Sequence, residues 1–324
     1  AFGCLLAGLY YAEFASMISI SGSAYTYGYA TMGELVAWII GWDLVLEYLF
    51  GASTVAVGWS GYVVSFLADF GIHLPAAICQ GPFAYGPDGW YMTGAIINFP
   101  AVFIVVATTT LLVIGIKESA KFNNIIVLIK VIVILLFVGF GISYINPGNW
   151  QPFIPENTGT WGEFGWSGVL AGAAVVFFAY VGFDAVSTTS QEAINPKRDM
   201  PIGILGTLLI CTILYVAVGL VLTGVVNYKE LNVAAPIAVA IDNAGQSLFW
   251  LRPIVKIGAI AGLSSVVLVL LLGQSRVFYT MAKDGLLWGN LSKTHSKFKT
   301  PHITTIIIGI AAGILAGLFP IDML

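Results

Sequence analysis

Long apolar runs alternate with short polar connections along this chain, and the lengths of the runs predict its architecture. About 20 predominantly apolar helical residues are needed to cross a bilayer core. Runs of that kind cover roughly residues 1–17, 34–66, 95–115, 123–145, 167–190, 201–225, 251–274 and 302–320, which predicts eight transmembrane helices. The second run is too long for a perpendicular crossing and predicts a tilted helix. Residues 235–248 are apolar but short, which fits a re-entrant or surface helix within a connection. The chain opens at Ala1 directly inside an apolar run, with no initiator Met, charged leader or cleavage site, and stops just after Pro320. The expectation is a central piece of a longer protein, forming a single transmembrane domain over residues 1–324.

Composition agrees with this pattern. Only 9% of residues are charged and 58% are hydrophobic, against about 25% charged in a soluble domain. The net charge of −3 comes without any basic patch, so nucleic acid is not an expected partner. Cys4, Cys79 and Cys211 lie far apart without ligand spacing, and the histidines do not cluster with them. Neither a metal site, a cofactor nor a disulfide framework is expected. With no nucleophile–base pair inside the apolar runs, an enzyme is not expected either.

The charges that remain fix an orientation. Taken in order, the odd connections carry Lys117, Lys121, Lys197, Arg198, Arg276, Lys283, Lys293, Lys297 and Lys299, while the even ones carry Lys229 and Arg252 alone. Basic residues accumulate on the cytoplasmic side. Residues 116–124, 187–201 and 274–300 are therefore expected in the cytoplasm. Residues 67–94 and 146–166 are expected outside, where Trp90, Trp150, Trp161 and Trp166 suit an interfacial belt.

Lys130 stands alone inside the apolar stretch from Asn124 to Gly139. Seven residues from Asn123, at about 1.5 Å each, place it about 10 Å into the membrane. Intramembrane ionisable residues generally face a cavity, a partner or a proton path; the alternative is a stem that snorkels back to the cytoplasmic surface. In the first case Lys130 can exchange a proton, which is what a proton-coupled transporter needs. Lys256, five residues from Leu251 near the outer end of its run, is expected to snorkel.

The run from Gly168 to Glu192 begins with small residues, then passes through Phe177-Phe-Ala-Tyr-Val-Gly-Phe183 to Asp184 and a Ser/Thr cluster. Gly182 is a natural break point, and Asp184 suits the cap of a following half-helix. A break inside a membrane is tolerated only where the freed backbone lines a cavity. Freed carbonyls suit an ammonium and a half-helix N-terminus suits a carboxylate, and an amino acid carries both. The other reading is an unbroken helix whose Gly168, Gly172 and Gly182 serve close packing. Asp43 and Glu47 share a helix face. Glu47 falls near mid-bilayer, where a carboxylate requires a partner: a cationic substrate side chain, Lys130 or a shared proton. Glu13, near the inner end of the first run, is read as a hydrogen-bonding partner for a neighbouring helix.

Three further stretches, with the Lys130 segment, carry a resemblance. Tyr11-Ala-Glu-Phe-Ala-Ser-Met-Ile-Ser-Ile-Ser-Gly-Ser-Ala-Tyr-Thr-Tyr27 resembles the second-helix exit of the amino acid–polyamine–organocation transporters. Gln191-Glu-Ala-Ile-Asn-Pro-Lys-Arg-Asp-Met-Pro201 is similar to the segment after their broken sixth helix. Gly273-Gln-Ser-Arg-Val-Phe-Tyr-Thr-Met-Ala-Lys-Asp-Gly-Leu-Leu287 is similar to the loop after their eighth. Within that superfamily, Leu128-Ile-Lys-Val131 points to bacterial relatives of the cationic amino acid transporters.

The resemblance implies an all-α polytopic membrane protein with the LeuT-like five-plus-five inverted repeat, of which this chain would be helices two to nine. The first helix, with its carboxylate-binding break, and those from the tenth onward would lie outside it. By the same resemblance, Lys130 would occupy the place of a coupling sodium ion, with Ser264 or Ser265 as its partner. Phe178, Ala179 and Val181 would offer carbonyls to the substrate amine, and Phe178 would also lid the site. Asp184 and Glu47 would line the side-chain pocket, and Arg276, among the charges of 187–201 and 274–300, would act at an inner gate. The implied function is proton-coupled amino acid transport across the plasma membrane by alternating access, with amino acid, protons and the lipid bilayer as partners and an accessory membrane subunit left open. The competing class is a non-transporting scaffold or amino acid receptor on the same fold.

Overall fold

A computed structural model describes residues 2–18, 22–86, 89–115, 120–184, 186–187, 193–233, 235–245 and 250–324. In chain order the helices are α1 (Phe2–Met17), α2 (Ser23–Met32), α3 (Glu34–Asp69), α4 (Phe99–Ile114), α5 (Ala120–Gly141), α6 (Gly165–Phe177), α7 (Pro196–Val225), α8 (Pro236–Asn243), α9 (Leu251–Lys283) and α10 (His302–Leu318). A hairpin of β1 (Phe83–Gly86) and β2 (Gly89–Met92), paired Phe83 to Met92 and Tyr85 to Trp90, sits between α3 and α4.

Among the described residues, four apolar helical stretches can cross a membrane by length and composition: Glu34–Asp69, Ile125–Tyr144, Pro196–Val225 and Leu251–Lys283. Phe99–Ile114, Gly165–Tyr180 and His302–Leu318 are apolar but shorter. The boundaries of α7 and α9 differ from the hydropathy expectation for one reason. Backbone bonding continues a helix after its apolar stretch ends, so α9 runs past residue 274 to Lys283 and α7 begins at Pro196, where proline suits the first turn.

Residues 1–20 and 134–252 form one compact unit. Here α1 packs along α7, and a Cβ built at Gly8 would lie 2.3 Å from Leu208 Cδ1. That approach is open to glycine and closed to larger residues. The connection after α5 is pinned to the end of α7. Asn146 N–H and Asn149 Nδ2 both donate to the Gly224 carbonyl, at 2.9 and 2.8 Å, and Trp150 Nε1 donates to Thr223 Oγ1 at 3.2 Å.

Residues 21–133 and 253–324 form the other unit. Its centre is α3, whose Ala37, Tyr48, Ala52, Ser53 and Ala56 are fully enclosed. Asn98 caps α4 by accepting from Ala101 N–H at 3.3 Å, and accepts Ser60 Oγ of α3 at 2.6 Å. α4 and α10 meet through glycines: a Cβ at Gly309 would sit 2.3 Å from Thr109 Oγ1, and one at Gly317 would sit 2.8 Å from Val102 Cγ2.

α3 and α9 run antiparallel and touch at successive levels. A Cβ at Gly41 would meet Met281 Sδ at 2.5 Å, and one at Gly273 would lie 3.2 Å from Tyr48. Gln274 Nε2 donates to the Val45 carbonyl at 2.9 Å, and Trp59 Nε1 donates to Ser264 Oγ at 2.8 Å. At the far end Lys256 Nζ reaches Asp69 Oδ2 at 2.7 Å and the Ser65 carbonyl at 3.2 Å. Lys256 therefore does not snorkel; its side chain is wholly buried and its charge is met by Asp69. The pairing residue lies 187 positions away, beyond the reach of any local sequence pattern.

Candidate functional site

Lys130 lies on α5 with its side chain half-buried, and its Nζ donates to Ser265 Oγ of α9. Ser265 Oγ in turn donates to the Gly262 carbonyl at 3.0 Å, so its lone pairs face the amine. The lysine stem runs beside Gly262, where an added Cβ would make ordinary contact with Cε at 3.7 Å. One turn away the helices are closer, since a Cβ at Gly258 would lie 2.7 Å from Val133 Cγ2. The neighbouring Ser264 is occupied differently. Its hydroxyl accepts from Trp59 Nε1 at 2.8 Å and donates to the Ile260 carbonyl at 2.7 Å. Two adjacent serines thus serve two neighbours, Ser265 holding the α5 amine and Ser264 the α3 indole. Trp59 carries no sequence signal for this role, because an apolar helix rich in aromatics offers no local mark of which indole meets a hydroxyl.

The second group surrounds the end of α6. The α-helix stops at Phe177, a tight 3-10 turn carries Phe178–Tyr180, Val181 is extended at φ −53°, ψ 132°, and Gly182 has φ +103°. That last value is readily available to glycine alone. The Phe178 carbonyl accepts from Val181 N–H at 3.1 Å, and the Ala179 carbonyl accepts from Tyr215 Oη of α7 at 2.7 Å. Tyr180 Oη shares a hydrogen bond with Thr212 Oγ1 at 3.0 Å, and the Tyr180 and Tyr215 rings meet edge to face at 5.2 Å. Phe183 meets Tyr11 of α1 edge to face at 5.4 Å. Phe178 itself is 37% exposed, whereas Asp184 is buried, its carbonyl accepting Ser187 Oγ at 2.5 Å. Residues 188–192, which include Glu192, lie outside the described residues.

Asp43 is exposed and Glu47 half-buried on α3, and Arg276 is half-buried on α9. Asp284, just past the end of α9, accepts the Tyr25 hydroxyl of α2 at 2.8 Å. Burial first, then this bond and the carboxylate's charge, push the Tyr25 phenol well above its usual value. Asp199 accepts the Asn195 N–H at 3.1 Å and so closes the first turn of α7. Tyr25 lies in a short helix that the apolar-run pattern did not mark.

The amino acid permease family profile matches residues 1–322. The chain is 48% identical over 325 residues to the branched-chain amino acid permease BcaP of Bacillus subtilis, covering 100% of the chain and 67% of that protein. It is 48% identical over 314 residues to the methylthioribose transporter of the same organism, covering 97% of the chain and 64% of the relative. To the vacuolar cationic amino acid transporter 4 of Arabidopsis thaliana it is 37% identical over 307 residues, covering 94% of the chain and 49% of the relative. The chain thus spans between 49% and 67% of the length of these curated relatives.

Proposed function

Because the chain belongs to the amino acid permease family and is a multi-pass membrane protein, we propose that the full-length protein carries amino acids across the plasma membrane by proton-coupled symport and alternating access. The observation that carries this reading is the Lys130–Ser265 contact, an amine and a hydroxyl joining two apolar helices. A protonated Lys130 donates to Ser265 and ties α5 to α9; a neutral one holds the contact less strongly. Proton binding and release thereby bias two arrangements of the carrier. Ser264 belongs to the same site through its neighbour rather than through the amine.

The substrate half of the reading lies at the α6 break. Phe178, Ala179 and Val181 offer carbonyls to the α-amine, and the exposed Phe178 ring closes over it. Asp184 and Glu47 are the acidic candidates for selecting the substrate side chain. In the five-plus-five inverted repeat the chain supplies helices two to nine, with 116–124, 187–201 and 274–300 in the cytoplasm and Arg276 acting at the inner gate. The relatives are named for branched-chain amino acids, for cationic amino acid transport and for methylthioribose. Branched-chain and cationic amino acids are accordingly the first candidates here, and methylthioribose is a competitor to include.

The test is uptake of radiolabelled amino acids by full-length protein in proteoliposomes, with and without an inward proton gradient. Uptake that rises with the gradient supports symport. Uptake indifferent to it removes the proton role, and failure of every amino acid to enter or compete overturns the substrate class.

A further inference from the structure

A carbonyl released by a helix break inside a membrane needs a donor, because no water is at hand to supply one. At Ala179 that donor comes from α7: the Tyr215 hydroxyl stands 2.7 Å from the carbonyl oxygen. The arrangement is braced. The Tyr215 ring leans edge-on against Tyr180 at 5.2 Å, and Tyr180, 6% exposed, is fixed to Thr212 Oγ1 at 3.0 Å. Thr212 and Tyr215 are three residues apart and share one face of α7. Tyr215 is 42% exposed, so it has room to turn away from the break.

We propose that the Tyr215 hydroxyl is a surrogate for the substrate ammonium at the Ala179 carbonyl, holding the donor position in the empty site and yielding it when an amino acid binds. This rests on the reading of Ala179 as part of the amine site. The exchange has a direction. A phenol is a neutral donor with one proton, whereas an ammonium is charged and carries three, and charge-assisted bonds are roughly twice as strong as neutral ones. A ligand without an amine has nothing stronger to offer the carbonyl and leaves Tyr215 in place. Tyr215 would therefore help to determine specificity for amines, acting by competition rather than by contact with substrate.

Equilibrium binding of radiolabelled L-arginine, L-leucine and L-alanine to the purified full-length protein tests this. Tyr215→Phe removes the competitor and should tighten binding by about two- to tenfold, the range expected for loss of one neutral hydrogen bond. A brace that merely shaped the break would weaken binding when removed. 4-Methylpentanoate, the leucine analogue with hydrogen in place of the amine and so no donor for the Ala179 carbonyl, should gain no affinity from the substitution. Thr212→Val, which removes the Tyr180 contact and leaves the Ala179 donor in place, should not tighten binding. Installing 3-fluorotyrosine at position 215, near-isosteric with a more acidic phenol, should weaken binding, and it keeps the test decisive if Tyr215→Phe does not fold. Unchanged or weaker binding by a folded Tyr215→Phe, or unchanged affinity with fluorotyrosine, overturns the proposal while wild-type binding leaves the transport reading intact. Failure of the wild type to bind any of the three overturns the transport reading itself.

Discussion

Lys256 Nζ lies 2.7 Å from Asp69 Oδ2, and the lysine side chain has no exposed surface while the aspartate keeps 17% of its own. The cation is therefore enclosed and the anion is only partly so. Removing one member of a buried pair leaves the other uncompensated and costs about 3–5 kcal/mol. Asp69→Asn, which strands the buried ammonium, is expected to lower the unfolding midpoint more than Lys256→Met, whose leftover carboxylate reaches solvent. The double variant Lys256→Met with Asp69→Leu should recover most of the loss. Thermal unfolding of the three variants in detergent measures the order, and equal losses from the two single variants would contradict it.

Lys130 and the two serines make a second set. Lys130→Ala is expected to abolish gradient-driven uptake by the full-length protein while leaving its melting profile close to wild type. Ser265→Ala should reduce the gradient response, because it removes the hydroxyl that receives the amine. Ser264→Ala should spare more of it, since that hydroxyl serves Trp59. Proteoliposome uptake against external pH reads all three, and a pH profile unchanged by Lys130→Ala would sink the coupling role.

Tyr25 supplies a pH dependence with a definite sign. Its folded-state phenol titrates above the unfolded value of about 10, raised by burial and by Asp284. The folded state therefore holds this proton more tightly than the unfolded chain does. The stabilisation is complete below pH about 10 and is lost as pH climbs from there through the folded value. Tyr25→Phe should cost about 1–2 kcal/mol at neutral pH, in keeping with a hydrogen bond to a charged group whose acceptor is left solvated. It should also flatten the alkaline fall in stability. A wild-type and Tyr25→Phe pair with identical alkaline unfolding curves would refute this.

Two glycines on apolar helices should respond oppositely to the same change. At Gly309 an added Cβ meets Thr109 Oγ1, Cγ2 and Cβ at 2.3, 2.5 and 2.9 Å. These belong to a stiff β-branched side chain, so Gly309→Ala is expected to destabilise by about 1–3 kcal/mol through overpacking. At Gly139 nothing lies within 4 Å, and Gly139→Ala is expected to be neutral or stabilising by up to about 1 kcal/mol through helix propensity. Comparison of their melting temperatures with wild type is sufficient.

What the sequence disclosed follows from how local each signal is. Apolar runs mark α1, α3, α5 and α10 closely, because the apolar character is carried by nearly every residue along each of them. The break near Gly182 is legible because glycine between bulky residues is itself a backbone instruction, realised at φ +103°. The short α8 at Pro236–Asn243 lies inside the apolar segment read as a helix within a connection. Features set by distant partners are not legible. Lys256 resembles any snorkelling lysine until Asp69 arrives from another helix. Tyr215 is one aromatic among many until it meets Ala179. The helix α2 and the hairpin from Phe83 to Met92 escape as well, since neither carries a long apolar run.

The succession of contacts along α3 and α9 bears on how this unit opens. From Gly41 beside Met281, through Val45 with Gln274 and Trp59 with Ser264, to Asp69 with Lys256, each rung fixes the register of the next. Neither helix can slide or peel from one end without breaking an indole, an amide or an ionic bond in turn. Their amide protons should consequently exchange with solvent deuterium late and together, as one cooperative block. Amides of the hairpin at Phe83–Met92, held by a two-stranded ladder alone, should exchange early.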